Sequence, residues 1–217
     1  MPEVGVCLIT DDGSLLSGQV VQRLVDQGWK AVVLQLPEAL VKPSVLATQT
    51  DCVQLQTADE AEIKQQLCAI AKTYGTIHTF IHLHPGEGVD DKSIVKAVFF
   101  MAKHLQAFLS GANEQPAARS AIAARRSFIT VAHLDGELGL GRQSYRAVVG
   151  GLFGLTKTLR LEWPTVFCRA IDISSELSVT EAANALIAEM HDPNVFIREV
   201  GHGRSGRVTL TCLSETA

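Results

Sequence analysis

The chain has 217 residues, of which 47% are hydrophobic and 19% are charged. This composition is typical of a soluble globular protein with a large core, and the length suits one sizeable domain. The formal net charge of −4 offers no basic field for nucleic acid or anionic membrane, and the longest apolar runs are too short to span a bilayer.

Strand and helix patterns alternate along the chain. Apolar runs predict strands over 4–10, 29–36, 51–56, 77–83, 127–133, 166–173 and 195–200, with a final extension over 207–212. Helical spacing predicts helices over 15–27, 60–74, 91–109, 144–163 and 180–190. Repeated β–α units with buried strands predict a parallel sheet between two layers of helices. No linker divides the chain, so we expect a single three-layer α/β domain over 1–217, doubly wound and Rossmann-like.

The turn after the first strand is where such a fold cradles a pyrophosphate. Short-chain reductases carry T-G-x-x-x-G-x-G there, because glycines permit a tight turn and close approach of the backbone to phosphate. This chain has Thr10-Asp11-Asp12-Gly13-Ser14-Leu15-Leu16-Ser17. Asp11, Leu15 and Ser17 therefore occupy the three glycine positions, and two carboxylates would repel a dianionic pyrophosphate. We expect a degenerate turn that binds no dinucleotide.

The catalytic pattern of short-chain reductases is also incomplete. Those enzymes use a tyrosine as proton donor and a lysine four residues later that lowers its pKa. Tyr145 is followed at that spacing by Val149, and Tyr74 is followed by His78. No serine ends the fifth strand, and Lys157 lies too far along the helix to serve Tyr145. We therefore predict no catalytic residues in this chain.

Histidines on the fourth strand suggest an alternative, a metal site. His78, His82 and His84 alternate along the strand, and His133 ends the fifth strand. Imidazoles at i and i+2 lie about 7 Å apart, which is awkward for one ion. Packed or hydrogen-bonded histidines are the simpler explanation, so we predict no metal ligands.

Other polar residues have ordinary explanations. Solvated loop acids are expected at Asp90, Asp91, Asp135 and Glu137 rather than a catalytic carboxylate pair. Arg125 and Arg126 are expected to form a surface pair or to contact a partner domain. Five scattered cysteines (Cys7, Cys52, Cys68, Cys168 and Cys212) suggest buried, reduced thiols. The start, MPEVGVCLIT, lacks the features of a signal peptide, so we expect a cytoplasmic protein.

Several segments together carry a family resemblance. The stretch GLFGLTKTLRLEWP (151–164) followed by CRAIDI (168–173) resembles the end of the structural subdomain of ketoreductases in type I polyketide synthases and polyunsaturated fatty acid synthases. The segments ITDDG (9–13), IHL (81–83) and NVFIRE (194–199) are similar to the same half.

In that family the ketoreductase has two Rossmann-like halves, and the first half braces the second without binding cofactor. The resemblance implies that this chain is that first, non-catalytic half, of a degenerate short-chain dehydrogenase/reductase type. It implies that NADPH and the catalysis of β-ketoacyl reduction belong to the second half. The expected partners are that catalytic subdomain and neighbouring synthase domains, or further copies in a homo-oligomer. The alternatives are a divergent NADPH-dependent reductase active by itself, and a metal-binding module built on the strand histidines.

Overall fold

A computed structural model describes residues 5–44, 46, 50–86, 90–111, 125–141 and 146–211. The strands are β1 (Val6–Thr10), β2 (Lys30–Gln35), β3 (Asp51–Gln54), β4 (Ile77–Leu83), β5 (Ser127–Ala132), β6 (Phe167–Ile173), β7 (Glu199–Gly203) and β8 (Gly206–Val208). The helices are α1 (Leu15–Asp26), α2 (Glu60–Tyr74), α3 (Asp91–Leu109), α4 (Gly151–Glu162) and α5 (Val179–His191).

The strands form one sheet in the order β3-β2-β1-β4-β5-β6-β7-β8. All neighbouring pairs are parallel except the last, in which β8 returns antiparallel to β7. From β1 the chain first adds β2 and β3 on one side and then crosses over to add β4 on the other side. This switch leaves a crevice beyond the carboxyl ends of β1 and β4. The doubly wound, Rossmann-like prediction is confirmed.

Apolar residues cover both faces of the sheet. On one face, α2, α3 and α4 bury residues such as Leu67, Met101 and Leu152 against β4 and β5. On the other face, α1 and α5 bury residues such as Leu24 and Leu186. These two cores make three layers, and they explain why the central strands are apolar along their whole length.

The helix predicted over 144–163 begins later than its apolar spacing suggests. Residues 142–145 lie outside the described residues, Arg146 is extended, and Ala147–Gly150 forms a 3₁₀ turn that leads into α4. The end is as predicted, because α4 finishes at Glu162 and Trp163 leaves the helical region before Pro164. The apolar residues Val148 and Val149 fit a helix by spacing but belong to the tighter turn.

The last predicted strand begins four residues too early. Residues 195–198 lie outside the strand, and β7 starts at Glu199. Of these residues Arg198 bonds to β6, through its backbone oxygen and the N–H of Ala170. The side chain of Asn194 accepts a hydrogen bond from the backbone N–H of Phe196 at 3.0 Å. An asparagine that bonds two residues ahead stabilises a turn, and this local preference prevails over the apolar run.

Two predictions about side chains near the surface were wrong. Of the described cysteines, Cys7 and Cys168 are buried, whereas Cys52 on the edge strand β3 and Cys68 on the outer side of α2 are exposed. Arg125 and Arg126 do not form a pair on the surface: the guanidinium of Arg125 stacks on Phe167 at 3.6 Å and donates to the backbone oxygen of Asp192, just past the end of α5. The alternative of a contact with a partner domain stays a prediction. Arg126 donates to the oxygen of Phe108 in the last turn of α3. Cys212 lies outside the described residues.

No helix within the described ranges is both long enough and apolar enough to cross a bilayer.

Candidate functional site

A cleft of about 590 Å³ opens at the carboxyl ends of β1, β4, β5 and β6. This is the crevice where sheets of this topology bind ligands. The turn after β1 forms one wall, the end of β4 and the start of α3 another, and residues 173–182 a third. Its polar lining includes Asp12, Ser14, His84, Asp91, His133 and Arg146.

The Asp11 carboxylate occupies the turn after β1. One of its oxygens accepts hydrogen bonds from the backbone N–H of Gly13 and the hydroxyl of Ser17, both at 3.0 Å. The other accepts from the backbone N–H of Ser44 at 2.8 Å. Backbone N–H groups at such a turn are the groups that bind phosphate in dinucleotide-binding proteins. In this chain an internal carboxylate takes one of them.

The segment after β2 covers the same turn, through residues 41–44 and Leu46. A Cβ atom at Gly13 would lie 2.7 Å from the backbone oxygen of Lys42, and a Cβ at Gly18 would lie 3.8 Å from the side chain of Leu46. Gly13 has a φ of +76°, a conformation that glycine adopts without strain. The chain therefore lies against its own glycine turn, on the side that a pyrophosphate would approach.

The remaining residues of the turn have separate roles. Asp12 is buried, lines the cleft, and accepts hydrogen bonds from the backbone N–H and hydroxyl of Ser14. Ser14 in turn caps α1 by accepting from the N–H of Leu16. The side chain of Leu15 is 68% exposed and does not line the cleft. Leu15 therefore points away from the groove, and it is the segment after β2 that lies against the turn.

A chain of buried hydrogen bonds runs from β1 to the start of α3. Thr10 Oγ1 lies 2.9 Å from His82 Nδ1, His82 Nε2 lies 3.4 Å from His84 Nδ1, and His84 Nε2 lies 3.1 Å from Asp91. Burial lowers the pKa of His82 well below the usual 6.5, and burial also lowers the pKa of His84 despite the carboxylate beside it. Both rings are therefore neutral.

Neutral rings fix the direction of every hydrogen bond in this chain. Asp91 can only accept, so His84 donates from Nε2 and accepts at Nδ1 from His82, which accepts in turn from Thr10. The second oxygen of Asp91 pairs with Arg146 at 2.6 Å. Both nitrogens of His84 are committed, so this ring cannot act as a base towards a ligand in the cleft.

The loop after β5 takes the place where short-chain reductases carry their serine. His133 stands at the end of the strand, and its Nδ1 lies 3.0 Å from the backbone oxygen of Ile173. Beyond it, Asp172 accepts from the N–H groups of Leu134, Asp135, Gly136 and Leu138, while Asp135 accepts from those of Glu137, Gly139 and Gly141. Two carboxylates therefore hold the backbone of residues 134–141.

The environments of the two carboxylates differ. Burial raises the pKa of Asp172, whereas Asp135, although burial acts in the same sense, has its pKa lowered by the surrounding N–H groups. The prediction of solvated loop acids was wrong for Asp135 and Asp91, which are both buried. Their partners are N–H groups and side chains supplied by folding, which the local sequence does not reveal.

The lysine of the reductase pattern has no counterpart among the described residues that line the cleft. Tyr145 lies outside the described residues, and Val149, four positions on, is buried and lines the cleft. Lys157 pairs instead with Glu199 at 3.0 Å. Tyr74 ends α2 at the opposite end of the sheet, where Lys30 lies over its ring.

The histidines do not gather into a metal site. His82 and His84 contact each other, but His78 lies at the start of β4, with its Nδ1 3.0 Å from the backbone oxygen of Thr76. Within the described ranges, no group of three or more His, Cys, Asp or Glu side chains has an arrangement that could hold a metal ion.

The sequence analysis did not predict one buried cluster of charged side chains. Arg169, fully buried on β6, donates to Glu189 of α5, which also accepts from His202 and Arg207 near β8. Burial alone would raise the pKa of Glu189, but these hydrogen bonds and positive charges lower it to about 2. The available signal was an arginine inside an apolar strand, which requires a buried partner.

No protein-family model matches this chain. The chain is 30% identical over 209 residues to one subunit of the polyunsaturated fatty acid synthase of Thraustochytrium sp., and the match covers 93% of this chain but 7% of that protein. Among solved structures, 3-ketoacyl-(acyl-carrier-protein) reductase from Brucella melitensis, complexed with NADH, has a TM-score of 0.67 at 19% identity, covering 94% of this chain and all of that one. A short-chain dehydrogenase/reductase from Serratia marcescens has a TM-score of 0.58 at 15% identity, covering 91% and 94%. The chain thus has the fold of short-chain dehydrogenases/reductases and is related to one region of a polyunsaturated fatty acid synthase.

Proposed function

We propose that this chain is a non-catalytic, structural half of a ketoreductase region in a polyunsaturated fatty acid or polyketide synthase. In this proposal it binds no nicotinamide cofactor and braces a second Rossmann-like half. That second half binds NADPH and reduces a β-ketoacyl group carried by acyl carrier protein. The relation to the synthase and the short-chain reductase fold support the assignment to a ketoreductase region. The residues that line the cleft support the absence of cofactor binding and catalysis.

The observation that carries the proposal is the filled turn after β1. Asp11 accepts the N–H of Gly13, which a pyrophosphate would otherwise approach, and the segment after β2 lies against the outer side of the turn. A dinucleotide would have to displace this segment and bring its phosphates close to the charge of Asp11. Like charges at 4 Å repel by about 1–4 kcal/mol at the effective dielectric of a protein surface.

A bracing role also requires a face that docks the second half. The outer sides of α3 and α4 carry the exposed side chains of Phe99 and Leu161, 52% and 68% accessible, with Val148 in the 3₁₀ turn between them. We call this surface the α3/α4 face. Exposed large apolar side chains on two neighbouring helices are typical of a protein–protein contact.

Two glycines on this face support the same interpretation. Gly154 lies in the middle of α4, where glycine costs about 1 kcal/mol relative to alanine. A Cβ atom there would have no atom within 4 Å, and a Cβ at Gly151 would meet Val95 of α3 at an ordinary 3.6 Å. No contact within the described chain requires glycine at position 154. The close approach of a partner helix would require it.

The first test is a fluorescence titration of the purified chain with NADPH and NADH. We expect no saturable binding up to millimolar cofactor. Saturable micromolar binding would overturn the proposal and favour a divergent reductase active by itself.

The second test addresses docking. The proposed catalytic half, co-expressed as a separate chain, should co-purify with this chain in a stable complex. Phe99→Glu should weaken that complex at least tenfold. Val25→Glu is the matched control, because Val25 is also 52% exposed but lies on α1, in the opposite helix layer. Equal weakening by both substitutions, or no complex at all, would contradict a bracing role through the α3/α4 face.

A further inference from the structure

The cleft remains open although the phosphate turn is filled. The segment after β2 closes the side next to Gly13, but about 590 Å³ stays accessible between the ends of β4, β5 and β6. That volume lies within the range of pockets for small organic molecules. Much of its wall is apolar, contributed by residues such as Val149, Ile173 and Leu177.

The charged groups in the cleft already have hydrogen-bond partners within the chain. Asp12 is satisfied by Ser14, and Asp91 is satisfied by His84 and Arg146. The charges of these lining residues comprise two carboxylates and one guanidinium, with His84 neutral. An anionic ligand therefore meets a net negative wall, and a cation would have to leave water for an apolar surface on which both carboxylates have their partners.

His133 contributes a hydrogen-bonding atom that the fold leaves unused. Its Nδ1 faces a backbone oxygen, which can only accept, so Nδ1 is the donor and the neutral ring presents Nε2 as an acceptor. Nε2 accepts no hydrogen bond from the described part of the chain, and His133 lines the cleft. The cleft thus presents one oriented acceptor beside apolar side chains.

We propose that this cleft binds an uncharged, amphipathic small molecule whose N–H or O–H group donates to His133 Nε2 while its apolar part packs between Val149 and Leu177. This site needs neither a dinucleotide nor a catalytic tyrosine–lysine pair. It is independent of the docking face, so the protein has a ligand-binding role even if bracing proves to be wrong.

Three probes of equal length distinguish the chemistry: hexanamide, hexanoate and hexylammonium. NMR spectra of the imidazole nitrogens of the ¹⁵N-labelled chain report directly on His133 Nε2. We expect hexanamide to shift this resonance saturably at millimolar concentration. Hexanoate and hexylammonium should bind at least about tenfold more weakly, a difference of 1.4 kcal/mol. Equal or tighter binding of either ion, or no saturable shift with hexanamide, would overturn the proposal.

Two substitutions and a control locate the site. His133→Leu should abolish the binding of hexanamide, and Ser175→Trp, which places a large ring in the cleft from an exposed position, should do the same without touching the β5 loop. His78→Leu should leave binding unchanged, because His78 has the same Nδ1-to-carbonyl contact at the far end of the sheet. Retained binding in folded Ser175→Trp would overturn the assignment, even if His133→Leu fails to fold.

Discussion

The carboxylate of Asp11 accepts the backbone N–H of Ser44 at 2.8 Å, across a groove that dinucleotide-binding proteins leave open for phosphate. This contact attaches the segment after β2 to the turn after β1. The same side chain also accepts from Gly13 and Ser17. One residue, at a position that is glycine in the short-chain reductase motif, therefore both fills the turn and holds the segment after β2 against it.

Substitution of Asp11 by Asn should destabilise the chain by about 1–3 kcal/mol, because its three donors then face a neutral amide that has only one accepting oxygen. Urea unfolding followed by circular dichroism measures this change. Asp26→Asn serves as the control, since Asp26 accepts from Gln22 on an exposed part of α1 and should cost less than about 0.5 kcal/mol. Equal costs for the two variants would show that the contacts of Asp11 contribute little.

Glu189 makes the protein sensitive to acid. Its folded pKa of about 2 lies below the usual 4.5. A depressed carboxyl pKa stabilises the fold above pH 4.5, and this contribution is lost as the pH falls from 4.5 towards 2. Glu189→Gln should lose about 3 kcal/mol at pH 7, because the buried Arg169 then keeps only Asp192 of its two carboxylate partners. The variant should also unfold with a weaker dependence on pH below 4.5.

The control for Glu189 is Glu176→Gln. Glu176 pairs with Arg204 on the surface, so its replacement should lower the unfolding free energy by less than about 1 kcal/mol. The loss of stability below pH 4.5 should be the same as in the unsubstituted chain. Urea midpoints measured from pH 7 down to pH 3 compare the two variants. If the urea midpoint of Glu189→Gln still falls steeply below pH 4.5, groups other than Glu189 cause the acid sensitivity.

His82 and His84 produce a separate effect near neutrality. Their folded pKa values lie below 6.5, so the unfolded chain takes up protons first as the pH falls. Their contribution to stability is complete above pH 6.5 and is lost progressively below it. NMR titration should show both rings neutral, with the proton on Nε2, at pH 6.5. A titration midpoint at or above 6.5 for either ring would refute the neutral chain from Thr10 to Asp91.

Gly154→Ala should have opposite effects on folding and on docking. The isolated chain should gain up to about 1 kcal/mol in unfolding free energy, because a helical glycine with open space around its Cα is replaced by the best helix former. The affinity for the proposed catalytic half should fall, because the added methyl group would occupy the space into which a helix of that half is proposed to pack. Gly136→Ala is the contrasting control: with φ at +79° and a Cβ only 2.6 Å from the backbone oxygen of His202, it should destabilise the chain. If Gly154→Ala binds the proposed partner half with unchanged affinity, this glycine is not part of the interface.

Much of the fold could be predicted from apolar periodicity, because the central strands are buried on both faces and the helices on one. The boundary near 144–151 could not, since Val148 and Val149 suit a helix and the extended Arg146 is bonded to Asp91 on another element. The start of β7 was missed for a local reason, the turn that Asn194 stabilises.

The candidate site was only partly predictable. Aspartate at a glycine position predicts a degenerate turn, because the glycine requirement is local, and the failure of that turn to bind a dinucleotide stays a prediction. That residues 41–44 and Leu46 cover this turn could not be foreseen, since their pattern is irregular and their position depends on Asp11. The burial of Asp91 and Asp135 was equally hidden, because their partners come from other loops or form only when the backbone folds around them.

Seven backbone N–H groups converge on Asp135 and Asp172 in the loop that follows β5. A serine in place of His133 would not by itself remodel this loop, because the loop conformation is tied to two acids whose removal would leave its amides without acceptors. Substitution of either acid should therefore destabilise the chain before it reshapes this side of the cleft.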